Sequence, residues 1–277
     1  MFVFNIIVVE KFMISQFPTY DINYYKHSAV STGTQVKQEQ QPLTKKQKGV
    51  ILASSAAGVG TVLTGLALHK GFSLNPAKIM KTPVKDWAIF KYKPKDNAIQ
   101  FKAPQIIALA AGSILGGFIG GAIVDKPNLK QKKREVLNQM LGNVLVPVGC
   151  VAAGAEIYTK YQDKIEGAMP QIKNKTGRWV SVLNKVSQKI PNAVGTLAFL
   201  GTGIYLGNKV SNFINDKLYH KKMERNIKAT DFAPHVDDVC LATSMMNEDS
   251  AFGSMLGRVI PLALVVPGYQ TGIAREG

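Results

Sequence analysis

Apolar and polar positions are segregated along this chain in long blocks. Five runs are nearly free of charge, at 49–69, 104–124, 136–158, 191–210 and 254–272, and the charged residues fall between them. A helix needs about 20 mostly apolar residues to cross a bilayer. The first four runs meet that length. The fifth is the weakest, since it carries Arg258 and two prolines. The third is more polar than the others, with Asn138, Gln139 and Asn143 clustered in it. The pattern predicts an all-α fold: a polytopic helical membrane protein of four to five glycine-rich spans.

The glycines sharpen this reading. The stretch "AAGSILGGFIGGAIV", Ala110 to Val124, holds five glycines and no charge. In a soluble helix each glycine is about 1 kcal/mol less favourable than alanine. In lipid there is little hydrophobic force between helices, and small residues let backbones approach closely. Gly112, Gly116 and Gly120 recur at a spacing of four and share one helix face, with Gly117 and Gly121 in an adjacent row. Gly60 in the first run and Gly203 and Gly207 in the fourth repeat the device. These are the predicted helix-packing residues of a glycine zipper.

Two segments resemble each other. "MLGNVLVP", Met140 to Pro147, is echoed by "MLGRVIP", Met255 to Pro261, and each lies downstream of a glycine-rich run and a basic connector. The expectation is a duplicated helical hairpin, with an insertion between the helices of the second copy. The equivalent positions Asn143 and Arg258 are polar in both copies, and a polar group inside a membrane is a functional candidate. Arg258 is equally explained as a side chain that snorkels to the interface.

The connectors carry their own signals. Thr82 to Lys102 contains two aromatic and β-branched runs around "PKDN", which suits a small β-hairpin. In "GRWVSVLNKVSQKI", Trp179, Val182, Leu183, Val186 and Ile190 share a helical face, as in a basic amphipathic helix lying at the interface. From Met13 to Lys48 the chain is polar and rich in Gln and Lys towards its end, and residues 1–48 are expected to form a disordered N-terminal tail ahead of a helical membrane domain, 49–277. The opening "MFVFNIIVVEKF" lacks a basic n-region and a cleavage site and is too short to span, so Met13 is an alternative start.

Charge and chemistry come last because they change the picture least. Lys+Arg outnumber Asp+Glu by 34 to 18, for a formal charge of +16. The lysines sit in short clusters beside apolar runs, which points to anionic lipid as the partner; nucleic acid is not expected, since no stacking platform accompanies them. With the N-terminus inside and five crossings, and with Lys209 at the end of the fourth run counted with the segment that follows it, 17 Lys/Arg fall inside and 16 outside, so the positive-inside rule gives no orientation. A multi-pass location in a plasma or inner membrane follows, with homo-oligomerisation possible through the small-residue faces.

Cys150 and Cys240 form no metal spacing or disulfide framework. His235, Asp237 and Asp238 are the most site-like cluster. Consecutive aspartates on a helix point about 100° apart, so helix capping explains them with fewer assumptions than a metal. No Walker sequence, dinucleotide fingerprint, nucleophile elbow or HExxH is present, so no catalytic residue, metal or cofactor is assigned. The function expected is a non-enzymatic integral membrane protein forming a glycine-packed bundle or oligomer with basic lipid-facing connectors. The alternatives are a small transporter or channel built from duplicated hairpins, and a membrane-associated enzyme using the 231–253 segment.

Overall fold

The computed structural model describes residues 41–83, 99, 102–172, 177–220, 227–235 and 260–275. Among them the secondary structure is helical, with no strand. The proposed β-hairpin around "PKDN" lies outside the described residues, as do residues 1–40, Asp237, Asp238 and Arg258.

Helix α1, Lys45–His69, begins four residues before the expected span. Thr44 starts it with a capping box: its Oγ1 accepts from the Gln47 backbone N–H at 3.3 Å, and Gln47 Oε1 accepts from the Thr44 N–H at 2.9 Å. A short helix α2, Pro76–Lys81, follows, capped by Asn75 with Pro76 in its first turn. Helix α3 is Ala103–Val124, again with proline in its first turn. It stops at Asp125, and a 3-10 turn, Lys126–Asn128, leads into α4, Leu129–Leu137.

The third apolar run is then a π-helical segment, Asn138–Leu145, continued as α5, Val146–Gly167. Helix α6, Arg178–Tyr219, is continuous. It joins the expected interfacial helix to the fourth run in one element, with Pro191 inside it and Trp179 and Leu183 exposed near its start. A 3-10 turn, Ala229–His235, precedes two short C-terminal helices, α7, Ile260–Ala263, and α8, Val265–Ile273.

Four helical stretches are long and apolar enough to cross a membrane: α1, α3, Lys126–Gly167 and α6 from Trp179. At 1.5 Å per residue the 22 residues of α3 extend about 33 Å, close to the hydrocarbon thickness. The C-terminal pair, Ile260–Ile273, is shorter than that and packs inside the bundle. Its apolar core is Ile106, Leu109 and Ile114 of α3, Val59 of α1, Val144, and Ile260 and Leu264. The outward faces stay apolar: Leu115, Ile119 and Ile123 of α3 and Leu197, Phe213 and Leu218 of α6 are exposed. Contiguous exposed apolar surface of that kind belongs against lipid or a partner rather than water.

Candidate functional site

The interior divides into two halves of opposite character. The first is a dry seam between α1, α3 and α8. A methyl group built on Gly112 would stand 2.6 Å from Val62 and 2.8 Å from the Gly58 carbonyl oxygen. One on Gly116 would fall on the Ser54 carbonyl oxygen, and one on Gly120 would stand 2.8 Å from the Ser54 side chain. The row Gly112, Gly116 and Gly120 therefore faces α1. The adjacent row faces α8: a methyl on Gly117 would fall on the Gly268 carbonyl oxygen, and one on Gly121 would stand 2.5 Å from that of Gly272. Ser113 joins α3 to the same helix. Its hydroxyl donates to the Val265 carbonyl and accepts from the Gly268 N–H, both at 3.2 Å.

The second half is polar. It lies between the π-helical segment, α6 and the 229–235 turn. Glu135 takes a hydrogen on each carboxylate oxygen, from Gln139 at 2.7 Å and from Asn138 at 3.3 Å. Asn143 Nδ2 donates to Gln139 Oε1 at 2.9 Å and to Asp231 Oδ1 at 2.8 Å. The other Asp231 oxygen accepts from the Lys228 N–H at 2.8 Å. On the α6 side, Asn215 Nδ2 donates to Asn138 Oδ1 at 2.6 Å. The result is a hydrogen-bonded row from α6 through Glu135 to Asp231, and each of its side chains is at most 2% exposed.

Proline chemistry accounts for one member. Pro147 has no N–H, so the carbonyl four residues earlier, that of Asn143, loses its ordinary helical donor. His235 Nε2 lies 2.7 Å from that carbonyl oxygen. A carbonyl only accepts, so the ring donates from Nε2 and the free backbone acceptor is covered. The hairpin closes by close approach here too: a methyl on Gly207 would stand 2.5 Å from the Gly142 carbonyl oxygen, and one on Gly203 would stand 2.6 Å from Pro147 Cα.

A charged latch closes one end of the bundle. Lys132 Nζ, whose side chain is fully buried, donates to Asp125 at 3.0 Å and to the carbonyls of Gly272 and Ala274 at 2.7 and 3.0 Å. It thereby caps the C-terminal carbonyls of α8. Arg275 Nε donates to the same Asp125 oxygen at 2.8 Å and its guanidinium reaches the Gln41 carbonyl. Asn128 donates to the other Asp125 oxygen at 3.0 Å, and Gln47 Nε2 donates to the Val124 carbonyl at 3.0 Å. Burial alone would raise the Asp125 pKa; the hydrogen bonds from Arg275, Asn128 and Lys132 outweigh it and hold the carboxyl below its ordinary value of 3.8. Nearby, the Arg134 guanidinium stacks over the Tyr219 ring, 4.5 Å from its centroid.

Of the residues singled out from the sequence, the structure brings Asn143 and His235 together and gathers seven of the eight glycines at close helix contacts. The exception is Gly60, with nothing within 4 Å of its methyl position. Glu135, Asn215, Asp231, Asp125 and Lys132 were not singled out. For Glu135 a signal existed, since it stands four residues before Gln139, which stands four before Asn143. For α6 the signal was the spacing of Asn208, Ser211 and Asn215, which share one face. Asp125 and Lys132 pair with each other seven residues apart, but the partners that make them a latch, Gly272, Ala274 and Arg275, are about 140–150 residues away in the chain.

Among the described residues, no three His, Cys, Asp or Glu side chains form a metal-holding group. A scan against protein-family models gave no match, and searches of curated proteins and of solved structures gave none either.

Proposed function

We propose that the chain is a non-enzymatic multi-pass membrane protein, a small transporter or channel in which a glycine-packed frame carries a polar pathway. The observation that carries this reading is the buried row from Asn215 through Glu135 to Asp231, which links two helical stretches of membrane-crossing length to the 229–235 turn. Ionisable side chains inside a membrane are rare, and where they occur they mark substrate or ion paths. The irregular backbone is concentrated at the same place, in the π-helical segment and the 3-10 turn beside it. Non-helical backbone at that depth is tolerated when it is enclosed by protein or lines a cavity.

The second reading is a structural bundle or homo-oligomer with no pathway. It is favoured by the dry α1–α3–α8 seam and by Gly60 and Gly65, which have open space around them. Both readings place the protein in a plasma or inner membrane, with the lysine-rich connectors against anionic lipid. An enzyme built on 231–253 has less support, because Asp231 and His235 both bond Asn143 in the row. If Met140 to Pro147 and Met255 to Pro261 are duplicates, as their sequences suggest, Asn143 and Arg258 are a paired polar position.

Solute flux separates the two readings. The full chain would be reconstituted into vesicles and challenged with osmotic gradients of small ionic and neutral solutes while light scattering is followed. The transporter reading expects at least one solute to re-equilibrate faster than in protein-free vesicles. Equal rates for every solute would leave the structural bundle.

A further inference from the structure

We infer that the polar row is a binding site for a small hard monovalent cation of the sodium class. The inference rests on the transporter reading and names its substrate. It starts from two buried carboxamide oxygens. Asn143 and Asn215 are 1% and 2% exposed, and each commits its Nδ2 within the row. Asn143 Oδ1 and Asn215 Oδ1 then have no hydrogen-bond partner among the described residues. A buried acceptor left in that state is unfavourable by about 1–3 kcal/mol, so such sites are filled by a donor or a cation.

The surroundings select among occupants. The neighbouring groups along the row present oxygen as well: the Asp231 carboxylate accepts from Asn143 itself, and the Glu135 carboxylate lies two hydrogen bonds away, through Gln139 from Asn143 and through Asn138 from Asn215. An anion would be repelled there. A cation held by carboxylate and carboxamide oxygens is a hard one. Its charge follows from what the carboxylates already bind. Both Glu135 oxygens accept amide hydrogens, and so do both Asp231 oxygens, so much of their field is spent. Divalent calcium takes six to eight oxygens, several of them ionised; this set suits a single positive charge better. The wide turn of the π-helical segment fits the assignment, since such turns recur at functional sites.

The test uses the purified full chain in detergent. Its thermal midpoint would be followed as sodium chloride replaces choline chloride at constant ionic strength, with direct binding measured by radioactive sodium. A cation bound to the folded state stabilises it by mass action, so the midpoint should rise and saturate with sodium. Asn143→Asp keeps the shape of the side chain and adds a charge, and should tighten the apparent sodium affinity about tenfold. Asn143→Leu combined with Asn215→Leu should abolish the sodium dependence. Identical midpoints in sodium, potassium and choline, for both the native chain and Asn143→Asp, would overturn the proposal and assign the two oxygens to buried water. Stabilisation by calcium but not by sodium would overturn it as well. Sodium uptake into vesicles separates this inference from its foundation. Binding without uptake keeps the site and removes the transporter reading, while flux of other solutes without sodium binding does the reverse.

Discussion

Gly117→Ala should destabilise the bundle far more than its size implies, and Gly60→Ala should not destabilise it. Both sites are helical, so both substitutions gain up to about 1 kcal/mol of helix propensity. At Gly60 nothing lies within 4 Å of the added methyl, and the propensity gain is kept. At Gly117 the methyl falls on the Gly268 carbonyl oxygen, and that obstacle is backbone that no rotamer change can move. Helix α8 has to shift away from α3. The shift breaks the Ser113 hydrogen bonds to Val265 and Gly268 and loosens the core contacts of Leu264. Overpacking typically destabilises by about 1–3 kcal/mol, and a backbone obstacle belongs at the upper end. Thermal unfolding of the two variants in the same detergent should move in opposite directions. A Gly117→Ala variant as stable as the native chain would mean that α8 does not pack on that row.

Lys132→Met should produce the other large loss. The substitution keeps the length and apolar bulk of the side chain and removes only its charge and donors. Three acceptors then lose a hydrogen: Asp125, Gly272 and Ala274. Breaking a buried pair by removing one partner destabilises by about 3–5 kcal/mol, because a charge is left behind. Arg275 still serves Asp125, which places the expected loss at the lower end of that range. Asp125→Asn should cost less in the Lys132→Met background than in the native chain, since the two sites share one interaction. The pH response has a definite sign. The folded Asp125 carboxyl titrates below 3.8, so its contribution is fully present above that pH and is lost as the pH falls through the folded value. The native chain should lose stability on that descent, and the Asp125→Asn variant should lose less. Equal acid sensitivity in the two proteins would remove Asp125 as the cause.

How much of this was legible in the sequence depended on how local each signal was. The two glycine rows of α3 could be read because a spacing of four fixes a helix face whatever the partner is. The partner of the second row could not be read, since α8 arrives from more than 140 residues away. The polar row was half visible: Asn138, Gln139 and Asn143 stood out in an apolar run, while Glu135 sat in a basic connector and looked solvated. The expected helix boundary at Pro191 failed for a physical reason. A proline inside a helix removes one hydrogen bond but does not end the helix when the chain on either side can stay helical. Here the preceding segment is also tied to the 168–172 connector, through Asn184 to Ile172 and Ser187 to Pro170. Of the fifth run, the described part is a pair of short, largely buried helices, Ile260–Ala263 and Val265–Ile273, and composition alone does not distinguish a buried helix from a crossing one.

The claim beneath all of this is that lipid covers the outer faces of the long helices, and collision of a nitroxide label with oxygen or with a water-soluble nickel chelate tests it most directly. In a chain with Cys150→Ser and Cys240→Ser, labels would be attached in turn at Ile119, Leu197 and Leu74, all exposed on the protein surface. After reconstitution into vesicles, Ile119 and Leu197 should collide with oxygen and be shielded from nickel, while Leu74, in the connector after α1, should show the opposite. Free access of the nickel chelate to Ile119 and Leu197 would contradict the account.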